Sequence, residues 1–150
     1  MTAARRASCR RCISPVAGAP LASCSFATAT LRRPFTLDVD GRWDGTVLTL
    51  DEDFRFAKGE TLKRQWCLRK LDEHRYEATA ADLVRPAVAE AWGNAFYMRY
   101  DIWLPWRGRR IAMRFDDWSW LQENGVLINV ATISKFGIRL GGLTGFFERA

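Results

Sequence analysis

Residues Phe115–Arg139, FDDWSWLQENGVLINVATISKFGIR, decide the fold. Two aromatic-rich apolar runs flank Asn124-Gly125, a pair that favours a two-residue type I′ turn because both central positions need positive φ. The stretch predicts a β-hairpin. Its polar residues are unusual, since Asp116, Asp117, Asn129, Ser134 and Lys135 stand among hydrophobes that a sheet would bury.

Working outward, the same period of two recurs. Phe96, Met98, Tyr100, Ile102 and Leu104 alternate with Tyr97, Arg99, Asp101 and Trp103, and Ile111, Met113 and Phe115 continue the pattern after a loop at Pro105–Gly108. Phe35, Leu37 and Val39 alternate likewise, as do Leu62, Trp66 and Leu68 farther on. Turns are expected at Asp40-Gly41, Asp44-Gly45, Lys58-Gly59, Asp72–His74 and Gly93-Asn94. Gly137, Gly141, Gly142 and Gly145 suggest bulges or close backbone approach in the last strands. Short strands about ten residues apart, with no helix-length amphipathic segment, predict an all-β protein. The fold expected is an antiparallel up-and-down meander closing into a lipocalin-like β-barrel of about eight strands. Such a barrel is filled by side chains or holds one small ligand. An open sandwich is the alternative.

Residues 1–33 hold six arginines and no acid, whereas residues 34–150 hold 17 basic and 17 acidic side chains, so the net charge of +6 lies in the leader. A neutral body with interspersed charges offers phosphates no footprint, and no nucleic-acid partner is expected. The boundary is placed between a low-order leader, 1–33, and a single barrel domain, 34–150. Cys9-x-x-Cys12 supplies half a zinc site, but no second pair exists and His74 is the only histidine, so no metal is expected. Leu21-Ala22-Ser23-Cys24 resembles a lipobox, with Cys24 as the lipidated residue, although Pro15, Gly18 and Pro20 interrupt the apolar segment ahead of it. A leader read from a wrong start, or a disordered basic tail, explains the same composition. No run approaches the ~20 apolar residues of a membrane-spanning helix.

Further motifs carry a resemblance: Asp40-Gly41-Arg42-Trp43-Asp44-Gly45, Leu48–Phe54, Gly93-Asn94-Ala95, Phe115–Trp118, Leu127-Ile128-Asn129 and Ser134–Gly137. With them, residues 35–149 resemble the proteobacterial family of domains of unknown function numbered 3833, whose members are commonly labelled lipoproteins. The resemblance implies a lipocalin-like protein of the cell envelope, on the periplasmic face of a membrane, and supplies no activity. Members typically carry a further Phe-, Gly- and Trp-rich segment ahead of the strand at Phe35. Its absence here predicts a missing first strand, an unpaired edge beside Phe35 and poor solubility.

Strand parity sorts the chemistry. With Ile111, Met113 and Phe115 inward, Asp117 also points inward and Trp118 and Trp120 point outward. Asp116 faces away from Asp117, which excludes a carboxylate dyad. A buried carboxylate must be paired, and Arg99, Arg114 or Lys135 are the candidate partners; Asn129, across the hairpin, can donate and accept. Asp117 and Asn129 are either a pin fixing strand register or the polar end of an apolar pocket. The candidate ligand-binding set is Asp117, Asn129, Arg99, Arg114, Lys135 and Trp118. The expected partner is an apolar or lipid-like small molecule, with membrane association through a lipid anchor. An enzyme using Asp117 as acid or base, and a purely structural envelope protein, are the other readings. Ser134 and Lys135 face apart and form no nucleophilic pair, and no nucleotide loop or Ser, His and Asp set is visible, so no cofactor is expected. The seven tryptophans line a pocket, sit at a lipid headgroup layer, or pack the core and rim.

Overall fold

A computed structural model describes the backbone over residues 21–26 and 29–148 and the side chains over residues 35–148. Within them run β1 (Leu21–Phe26), β2 (Ala29–Trp43), β3 (Val47–Phe56), β4 (Thr61–Lys70) and β5 (Arg75–Thr79). They are followed by β6 (Ala87–Trp92), β7 (Ala95–Trp106), β8 (Arg109–Leu121), β9 (Leu127–Lys135) and β10 (Ile138–Phe147). Each strand pairs antiparallel with the next and β1 pairs with β10, closing a barrel. The meander is as expected, but it has ten strands rather than about eight.

Pairing extends upstream of the boundary expected at residue 34. The strand thought to be missing is β1, which sits between β2 and β10, with Cys24 opposite Arg33 on one side and Leu143 on the other. Backbone pairing needs no hydrophobic alternation, so LASCSF gave no signal. The unpaired edge from which poor solubility was expected is therefore covered. The Cys24 side chain and the Cys9 and Cys12 pair lie outside the described residues.

The turns obey local rules more finely graded than dipeptides. Asn124-Gly125 is not a type I′ turn: only Gly125 has positive φ, 86°. Gly125 N donates to Gln122 O at 3.0 Å and Gln122 N to Val126 O at 2.8 Å, closing a three-residue loop with glycine in the left-handed position. Asn124 accepts from Val126 N through its side chain, 3.1 Å, so it stabilises the loop without adopting positive φ. The type I′ pattern falls instead at Arg107-Gly108 (φ 47° and 77°) and Phe136-Gly137 (φ 51° and 76°). Asp40-Gly41, also expected to turn, stays inside β2 opposite Asp51 and Leu50. The glycine-rich β10 does shift register between Arg139 and Gly141, and a Cβ on Gly142 would lie 3.1 Å from Ala131 O.

Inside, one cluster on β4–β7 packs Trp66, Leu68, Tyr76, Met98, Tyr100 and Ile102 over Ala78, Ala87 and Ala89. A second joins Phe35, Leu37, Val39, Phe54 and Phe147 from β2, β3 and β10. Ten strands enclose a wider interior than eight, and the two clusters do not fill it.

Candidate functional site

A cavity of about 330 Å³ lies within the barrel. Its wall is mostly Leu and Phe, interrupted by Glu52, Arg64, Tyr100, Asp117, Ser119 and Asn129. Parity puts each of them there. Glu52 alternates with Leu50 and Phe54 on β3, Arg64 with Leu62 and Trp66 on β4, Tyr100 with Met98 and Ile102 on β7, and Asp117 and Ser119 with Phe115 on β8. Glu52 and Arg64 are directly opposite each other in the sheet, as are Ser119 and Asn129.

Asp117 is held from two sides. Asn129 Nδ2 donates to its Oδ1, and the Tyr100 hydroxyl donates to its Oδ2 at 3.1 Å. Asn129 Nδ2 also lies 3.1 Å from Trp118 O and 3.0 Å from Ser119 Oγ. Burial pushes the Asp117 carboxyl up to about 6, against the hydrogen bonds from Asn129 and Tyr100 that favour its anion. Burial, reinforced by Asp117, pushes the Tyr100 phenol well above its usual value. Tyr100 is oriented by an edge-on contact with Trp66, 5.2 Å between centroids, and by stacking on Phe115.

Arg64 spends its fork elsewhere. Its Nε and Nη2 bind Asp82 of the β5–β6 loop at 3.0 Å and 2.9 Å, while its Nη1 stands 3.6 Å from Glu52 Oε2, outside hydrogen-bond reach. The guanidinium lies 5.6 Å from the Phe54 ring centroid and 5.7 Å from that of Trp66. Glu52 Oε2 is buried with no hydrogen-bond partner among the described residues. Burial pushes the Glu52 carboxyl up to about 7, with the Arg64 charge opposing.

Of the residues expected at a site, Asp117 and Asn129 meet in the cavity wall. Arg99, Arg114, Lys135 and Trp118 do not join them, and none of the three cations is the partner of Asp117. Arg99 pairs with Asp116 and Arg114 with Asp101, both on the outer face. Lys135 Nζ donates to Ala112 O at 2.7 Å. Trp118 is 41% exposed and stacks on Trp120. These cations have partners one strand away on their own face, which a search for charges near in sequence does not reveal. Glu52, Arg64, Tyr100 and Ser119 were missed, although a polar residue at the buried parity of an apolar strand marks the first two.

No curated protein matches the chain. Residues 25–149 match the model of the family described as Protein of unknown function (DUF3833), and the chain belongs to that family.

Proposed function

We propose that the barrel binds an apolar, lipid-like small molecule, its polar end at the Glu52–Asp117 cluster. The observation that carries this is a cavity of about 330 Å³ whose apolar wall is broken by a few polar groups in two sets, Glu52 with Arg64 and Asp117 with Tyr100, Asn129 and Ser119. That combination of volume and sparse, convergent polar groups suits a small-molecule site, for which ~300–1,000 Å³ is usual. Envelope localisation belongs to the same proposal. A lipid anchor at Cys24 fits it less well, because cleavage ahead of Cys24 would remove Leu21–Ser23, half of β1.

Native mass spectrometry of the purified full chain, with organic extraction of the same sample, tests the reading. A co-purifying amphiphile that is displaced when Ala131→Trp fills the cavity is the expected result. A barrel that comes through empty and binds no amphiphile added to it would sink the idea. Asp117 as a proton-transferring group is the second reading, favoured by a buried carboxyl held at about 6. Asp117→Asn separates the two: turnover present in wild type and lost in a folded, ligand-binding variant supports chemistry, and ligand recovered unchanged from wild type and variant alike supports binding.

A further inference from the structure

We infer that the polar end of the ligand is a hydrogen-bond donor, an amine before an alcohol, and not a carboxylate or phosphate. This rests on the cavity being a ligand site. The polar cluster holds three carboxyls, Glu52, Asp82 and Asp117, and one guanidinium, Arg64. Most of its donors are committed, Arg64 Nε and Nη2 to Asp82 and Tyr100 and Asn129 to Asp117, and the remaining Arg64 nitrogen, Nη1, stands beside Glu52, 3.6 Å from its Oε2. Glu52, a residue of the cavity wall, has a buried Oε2 without a hydrogen-bond partner among the described residues. An ammonium or hydroxyl supplies what that oxygen lacks, whereas an anionic group would bring a further negative charge beside three carboxyls that share one guanidinium.

Decylamine, decan-1-ol and decanoate, titrated calorimetrically into the full chain at pH 8, test this. The amine should bind at least about ten-fold more tightly than decanoate, as one charge-assisted hydrogen bond implies. Glu52→Gln should erase the advantage of amine over alcohol. Wild-type amine affinity should also weaken from pH 8 to pH 6 as Glu52 gains its proton, a check that needs no variant. Decanoate binding as tightly as the amine, or an amine preference indifferent to both Glu52→Gln and pH, overturns the inference but not the cavity reading. Failure of all three to bind overturns both.

The end of the barrel formed by the β3–β4, β7–β8 and β9–β10 turns has a different chemistry, independent of the cavity. Arg107 and Phe136 occupy positive φ, 47° and 51°, where bulky side chains are strained. Phe136 is 91% exposed, and Ile138 and Trp106 beside these turns are also exposed. Arg107 lies over Trp106, Arg110 over Trp103 and Lys135 over Phe136. Among the described residues no carboxylate pairs with Lys58, Arg107, Arg109, Arg110 or Arg139; Glu60 is the one acid of these three turns and Asp82 of the neighbouring β5–β6 loop is paired with Arg64, while the turns at the opposite end carry Asp44, Asp72, Glu73 and Glu123. We propose that this basic, aromatic end docks on an anionic lipid bilayer, with Phe136 and Trp106 seated among the headgroups.

Co-sedimentation of the full chain with phosphatidylglycerol–phosphatidylcholine vesicles and with pure phosphatidylcholine vesicles tests it. Binding should require the anionic lipid and fall with added salt. Each of Arg107, Arg109 and Arg110 changed to Gln should weaken it about five-fold, the ~1 kcal/mol that a basic residue contributes near such a surface. Phe136→Asn should also lose binding, in a turn that Asn suits better than Phe. Equal binding to both vesicles, no binding to either, or unchanged binding of these variants overturns the proposal.

Discussion

At the scale of single residues, the buried carboxyls make stability depend on pH in an uncommon direction. Glu52 is raised from 4.5 to about 7 and Asp117 from 3.8 to about 6. Both keep a proton in the fold that they give up when unfolded, so their contribution is complete below about pH 4 and is lost as pH rises to about 7. Thermal melts should therefore fall between pH 5 and pH 8. Glu52→Gln should flatten that slope and raise stability at pH 8 by about 3 kcal/mol, its share of the linkage; a melt still falling as steeply would show that the burial is wrongly assigned. Asn129→Ala leaves Asp117 short of a donor and should cost about 1–3 kcal/mol by denaturant unfolding. Asp117 and Asn129 were legible because they interrupt the most patterned hairpin of the chain. Glu52 was less so, since Asp51-Glu52-Asp53 reads as a solvated charge run. Only the parity of Leu50 and Phe54 shows that its middle member turns inward.

Among the elements, alternation marked the central parts of β2, β4, β7 and β8, because one face of each is buried and a one-residue slip would expose it. It did not fix the turns. Whether Asn-Gly makes a two- or three-residue loop depends on where the flanking strands come into register, and that is set by Leu121 opposite Leu127, outside the dipeptide. Arg107-Gly108 and Phe136-Gly137 carry the type I′ geometry without the residues that favour it in first place. Phe136→Asn should accordingly stabilise the fold by about 1 kcal/mol in denaturant unfolding, since the left-handed region costs an ordinary residue about that much. Gly142→Ala should act oppositely, its Cβ 3.1 Å from the Ala131 carbonyl oxygen forcing β9 and β10 apart; an unchanged midpoint would mean that the sheet yields there.

At the scale of the whole molecule, strand number and closure were the least legible, because they depend on a strand whose partners lie at both ends of the chain. β1 meets β10 over four residue pairs, from Ser23 opposite Thr144 to Phe26 opposite Gly141, whereas β7 and β8 share twelve. Hydrogen exchange should find the β1 and β10 amides opening well before those of β7 and β8; uniform protection around the barrel would contradict this. Contacts between residues so distant in sequence also form late in folding, after local hairpins have paired. Until then the sheet is an open gutter whose inner face includes Phe35, Leu143 and Phe147, the residues nearest the unclosed gap. On the proposal that the interior holds a small molecule, closing this seam during folding would also trap the guest.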